Sequence, residues 1–87
     1  RMTPRIELFT HPVCSGCREA LLALSELERA GEIELVLWRL AIPSGRARGA
    51  EAGVTSVPTV IVAGETRELA TRQALEGLIA ELRPPAS

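Results

Sequence analysis

The sequence predicts an α/β fold, a four-stranded mixed sheet with helices on both faces in the order β-α-β-α-β-β-α. Three observations carry this. Arg5 to Thr10 alternates polar and apolar residues, as a half-buried strand does, and after Pro12 the pattern turns helical. Ile33 to Leu40 is apolar on both faces from Leu35 to Trp38, as expected of a strand covered on both sides in a parallel pair. Val57 to Ala63 is rich in β-branched residues and runs into Gly64-Glu65, a hairpin signal.

Each element has its own local cause. The first helix is expected from Ser15, with Ala20, Leu24 and Leu27 on one stripe and Leu21 beside it, and Gly31 stops it. Its length suits a right-handed crossover between the first two strands. Ser44 is expected to cap a short helix over 45–52, weakened by Gly45 and Gly49 at about 1 kcal/mol each relative to Ala. Arg46 and Arg48 read as its solvated face or, alternatively, as a docking patch for an acidic partner. Glycine at the first central position of Gly64-Glu65 predicts a type II′ turn, with the fourth strand running from Thr66 to Leu69. Thr71 caps the last helix, Leu75, Leu78, Ile79 and Leu82 form its buried stripe, and Pro84-Pro85 ends it.

The 87 residues are expected to form a single domain over 1–87, with 1–3 and 84–87 as frayed or tag-derived ends. Arg1 precedes Met2, which points to Met2 as the natural start. All ten basic residues are Arg and all eleven acidic ones are Glu, for a net charge of -1. That balance lacks the basic footprint of a nucleic-acid binder. No apolar run reaches the roughly 18 residues of a membrane span, so no membrane partner is expected. Nothing after Met2 reads as a secretion signal, and the expected location is cytoplasmic. A monomer is expected.

The two cysteines, Cys14 and Cys17, are spaced C-x-x-C. A bridge between them closes a very short loop, so it constrains the unfolded chain little, and a structural staple is a poor account. Redox chemistry or metal binding remains. A thiol reacts as its thiolate, and cysteines of such motifs at a helix start have pKa values of roughly 3.5–7.5 against about 8.5 for a free thiol. With the helix beginning near Ser15, Cys14 stands where unpaired N–H groups and the macrodipole favour a thiolate. Cys14 is thus the expected nucleophile on a disulfide, and Cys17, one turn on and facing inward, the resolving thiol that attacks the mixed disulfide. Arg18 adds positive potential there, or is simply an exposed arginine. His11, the single histidine, tunes the thiolate or is a partly exposed loop side chain.

Thr10-His11-Pro12-Val13-Cys14-Ser15-Gly16-Cys17 resembles the active-site stretch of thioredoxins and glutaredoxins. Gly53-Val54-Thr55-Ser56-Val57-Pro58-Thr59, roughly forty residues on, resembles their segment around the cis-proline. The element order agrees, and the small size is most like the glutaredoxin-like thioredoxins. The resemblance implies a cis Val57-Pro58 bond, Pro58 against the cysteine pair, and Val57 backbone groups pairing with an extended substrate as an added strand. Val13, Val57 and Pro58 would line the substrate contact. It implies protein disulfides as substrates and no cofactor beyond a redox-active Cys14–Cys17 disulfide. The departures are informative. Val13 stands where thioredoxins usually carry Trp, and Trp38 on the second strand reads as core. The chain has neither Asp nor Lys, so any proton acceptor for Cys17 is a different group from the buried acid of many thioredoxins. Leu69-Ala70-Thr71-Arg72 replaces the Gly-Gly and acidic stretch that holds glutathione in glutaredoxins, which argues against glutathione and for a flavoprotein disulfide reductase as electron source.

One alternative comes from another class, a copper-chaperone-like C-x-x-C module, since soft thiolates select Cu(I). Those carriers run βαββαβ, usually with Met just ahead of the pair, whereas here His11-Pro12-Val13 precedes it. Zinc within one chain needs about four ligands, and only Cys14, Cys17 and His11 offer themselves, so no metal site is assigned. A thioredoxin-fold module without catalysis would not need both cysteines.

Overall fold

The computed structural model describes residues 2–84. Its elements are β1 (Arg5–Thr10), α1 (Cys17–Arg29), β2 (Glu34–Arg39), α2 (Pro43–Ala52), β3 (Thr59–Val62), β4 (Glu65–Glu68) and α3 (Arg72–Leu82). The strands form one sheet in the order β2-β1-β3-β4. β1 and β2 are parallel, from Arg5 beside Glu34 to Thr10 beside Arg39. β3 runs antiparallel to β1, and β4 antiparallel to β3. This is the predicted mixed sheet with helices on both faces.

Strand alternation sorts the residues of β1. Ile6 and Leu8 face α1 and α3, in a core with Ala20, Leu24, Val60, Leu75 and Leu78. Each fully buried Leu or Ile of this kind contributes about 1.5–3 kcal/mol. Glu7 and Phe9 face the other way, toward α2. The edge strand β2 keeps Leu35 to Trp38 all half-buried, so its two apolar faces are only partly covered. The Leu35 N–H donates to the Glu28 carboxylate at 3.0 Å, which satisfies a backbone group of that strand.

Several boundaries differ from the sequence-based expectation, each for a local reason. α1 starts at Cys17, with Gly16 as N-cap, because turns at 12–13 and 15–16 precede it; the Cys14 N–H donates to the His11 carbonyl at 3.0 Å. α2 starts at Pro43, with Ile42 as an extended N-cap, so Ser44 is not the cap. Proline at the first helical position has the required φ and lacks only an N–H that would go unused. Nor are Gly45 and Gly49 mere weaknesses. A Cβ on Gly45 would stand 1.9 Å from the Arg39 carbonyl oxygen, and one on Gly49 would stand 2.9 Å from Leu40 Cδ2. Their bareness lets α2 lie directly on the end of β2.

β3 begins at Thr59, leaving Val57 and Pro58 in the preceding loop. The hairpin pairs Val62 with Glu65, so the turn residues are Ala63 and Gly64 rather than Gly64 and Glu65. Both have positive φ, 51° and 78°, which is a type I′ turn and not the expected II′. A type I′ turn follows the right-handed twist of the strands, and here that preference outweighs the cost of a left-handed alanine. Thr71 caps α3 as expected, its Oγ1 accepting the Ala74 N–H at 3.0 Å. α3 ends at Leu82 with Pro84 close behind. Of the expected frayed ends, Met2, Thr3 and Pro84 carry no regular structure, while Arg1 and 85–87 lie outside the described residues.

Candidate functional site

The parallel strands β1 and β2 end on the same side of the sheet, and α1 starts there. Cys14 and Cys17 meet at this point in a disulfide, with Cα atoms 5.4 Å apart. Cys17 is the first residue of α1 and is only 5% exposed, whereas Cys14 is half-buried. Cys14 is therefore not in the first helical turn. Its sulfur still lies at the helix N-terminus, because it is bonded to the sulfur of the residue that begins the helix.

The loop before β3 packs against this turn. The Val57-Pro58 peptide bond is cis. A Cβ on Gly16 would stand 3.5 Å from Pro58 Cδ, which puts the proline ring in contact with the residue between the cysteines. Two hydrogen bonds hold the loop. The Leu69 N–H donates to the Pro58 carbonyl at 2.8 Å, and the buried Thr59 hydroxyl donates to the Ser56 carbonyl at 2.7 Å. Val57 makes no hydrogen bond through its N–H or carbonyl among the described residues.

Two grooves flank the disulfide. The first is lined by Cys14, Val13, Val57, Pro58, Leu69 and His11, among others. Val13 is 85% exposed there. The second, on the far side, is lined by both cysteines with Arg18, Leu37, Arg39 and Ile42. The structure thus brings Val13, Val57, Pro58 and Cys14 together and puts Arg18 on the opposite flank. His11 borders both grooves, and its Nδ1 accepts the Val13 N–H at 3.3 Å.

Sequence reasoning missed one polar cluster and one wall of the second groove. Arg48 is not part of a solvated face. It turns inward, with Nε and Nη2 donating to the two carboxylate oxygens of Glu7 at 2.8 and 2.9 Å, and it also pairs with Glu51. Trp38 Nε1 donates to Glu7 Oε1 at 2.8 Å, so Trp38 is a half-buried partner of this cluster. The Arg48 hydrogen bonds hold the Glu7 carboxyl below its usual range, with the Trp38 bond adding to this against the opposing effect of burial. Glu7 faces α2, and no carboxylate lines either groove beside the cysteines. The signal for the missed wall was positional, because Arg39 ends a parallel strand and Ile42 follows it, at the C-terminal edge where α/β sheets bind ligands. Among the described residues there is no group of three or more His, Cys, Asp or Glu side chains placed to hold a metal ion.

No family model matches the chain, and no curated protein matches it. Solved structures do. The chain is similar to thioredoxin f2 of Chlamydomonas reinhardtii, at TM-score 0.72 and 19% identity over 97% of this chain and 82% of that one. It is similar to thioredoxin 1 of the thermophilic eubacterium Thermosipho africanus TCF52B, at TM-score 0.65 and 20% identity over 90% and 93%. A thioredoxin-like protein from Clostridium perfringens gives TM-score 0.67 and 21% identity over 92% and 71%. The chain has the thioredoxin-like fold, with a C-x-x-C disulfide at the start of its first helix.

Proposed function

We propose that this protein is a thiol-disulfide oxidoreductase that exchanges disulfides with protein substrates through Cys14 and Cys17. The single observation that carries this reading is the unequal setting of the two sulfurs. Cys14 opens onto a groove and Cys17 is buried behind it, both at a helix N-terminus. In the reduced protein the Cys14 thiolate attacks one sulfur of a substrate disulfide. A Cys14–substrate disulfide forms and the other substrate sulfur leaves as a thiolate. Cys17 then gives up its proton and attacks Cys14 Sγ. The second substrate sulfur leaves, the Cys14–Cys17 disulfide forms, and two electrons have passed to the substrate. Low thiol pKa values at helix N-termini support Cys14 as the attacking group.

The free N–H and carbonyl of Val57 favour an extended substrate segment added as a short strand, with Val13 and Pro58 as its apolar walls. His11 and Arg18 tune the thiolate from either side. No further cofactor is invoked. The chain works as a monomer in the cytoplasm and is re-reduced by a flavoprotein disulfide reductase rather than by glutathione. The copper-chaperone alternative is not favoured, because the β-α-β-α-β-β-α order departs from that of such carriers.

Alkylation of the reduced protein with iodoacetamide at neutral pH, read by peptide mass mapping, tests the assignment. Cys14 is expected to react at least tenfold faster than Cys17, as its greater exposure and thiolate character require. Equal rates would overturn it.

A further inference from the structure

The second groove, on the α1–β2 flank of the disulfide, has a charge that the rest of the chain does not share. Its wall carries Arg18 and Arg39 and no carboxylate. The chain as a whole has eleven acidic and ten basic residues. Four other arginines are committed to carboxylates, Arg29 to Glu26, Arg48 to Glu7, Arg67 to Glu81 and Arg72 to Glu19. Arg18 and Arg39 are exposed, and their side chains have no partner among the described residues. Glu26, Glu28, Glu32 and Glu34 sit at the opposite end of the molecule, where α1 ends and β2 begins. The groove beside the disulfide is therefore locally basic.

Apart from the two arginines the groove is largely apolar. Leu21 and Leu37 are half-buried in it, and Ile42 at its rim is 48% exposed. Both cysteines line it, so whatever occupies it lies against the reacting sulfurs. We propose that this groove docks an acidic segment of the partner protein next to its reactive disulfide, with one aliphatic side chain against Leu37 and Ile42 and flanking carboxylates on Arg18 and Arg39. A segment of partner chain fits better than a small anion because the groove offers apolar lining as well as two arginines. The proposal rests on the disulfide-exchange reading and adds a substrate class to it. The segment on one side of the substrate cysteine pairs with Val57, and the segment on the other side carries the acid.

The test uses short peptides in which one cysteine is disulfide-linked to thionitrobenzoate. The flank after the cysteine is Leu-Glu-Glu, Leu-Gln-Gln or Leu-Arg-Arg. Release of thionitrobenzoate by the reduced protein at low salt is compared with release by dithiothreitol, which corrects for each peptide's own reactivity. The acidic peptide is expected to react about tenfold faster than the basic one, the yield of two exposed charge pairs. The ratio should fall toward one in Arg18→Gln/Arg39→Gln and in high salt, and persist in Arg29→Gln. A wild-type ratio near one, or a ratio insensitive to the double substitution, overturns the proposal. A second arm measures binding of the corresponding serine peptides to the Cys14→Ser protein by fluorescence anisotropy. If no peptide releases thionitrobenzoate, the exchange reading fails, and this arm still decides whether the groove prefers acid. Equal displacement of the acidic peptide by glutathione disulfide would overturn docking of a protein segment.

Discussion

Pro58 lies against Gly16, so the loop before β3 and the turn between the two cysteines are built as one surface. A Cβ at residue 16 would stand 3.5 Å from Pro58 Cδ, which is ordinary contact, but a branched side chain would reach into the ring. Gly16→Ala is therefore expected to fold with near-native stability. Gly16→Val is expected to lose about 1–3 kcal/mol through overpacking and to slow disulfide exchange. Urea unfolding and exchange rates on the two variants check this. Equal behaviour of both would show that the contact does not matter.

The Glu7–Arg48 pair makes stability depend on pH in a defined direction. Its hydrogen bonds to Arg48 lower the Glu7 pKa in the folded state from its ordinary 4.5. The unfolded chain then binds the proton more readily, so the pair's contribution is fully present above about pH 4.5 and fades as the pH falls through the lowered value. Wild type should lose Tm more steeply than Glu7→Gln as the pH falls below about 4.5. Parallel Tm profiles for the two would contradict the assignment.

The close approach of α2 to β2 predicts opposite outcomes for the same substitution at two helical glycines. Gly45→Ala puts a methyl group 1.9 Å from the Arg39 carbonyl oxygen and should cost at least about 2 kcal/mol, since backbone must move. Gly77→Ala, in α3, meets nothing within 4 Å and should gain about 0.5–1 kcal/mol from lower backbone entropy. Denaturant midpoints of the two variants decide it.

Much of the fold was legible because local and tertiary preferences agree in it. The alternation of β1, the stripe of Ala20, Leu24 and Leu27, and the Thr71 cap all appear where the pattern puts them. What was not legible depends on partners distant in sequence. Arg48 reads as solvated until β1 brings Glu7 to it across 41 positions. Gly45 and Gly49 read as helix breakers until β2 shows why no side chain fits there. The turn type failed for a related reason, since Ala63 has no local preference for positive φ and is held there by the strand register. At the site, the spacing of Cys14 and Cys17 and the residues around Pro58 were readable. The second groove was not, because Arg18 and Arg39 come from elements that only the crossover places side by side.

The division of labour between the two sulfurs can be read from two single-cysteine variants. Cys17→Ser and Cys14→Ser proteins, both reduced, are incubated with insulin and quenched with acid, and adducts are resolved by non-reducing electrophoresis and mass spectrometry. Cys17→Ser should accumulate a mixed disulfide on Cys14, because attack proceeds and resolution does not. Cys14→Ser should accumulate little or none. Adducts on Cys17 in the Cys14→Ser protein, with none on a freely alkylated Cys14 in the other, would contradict it.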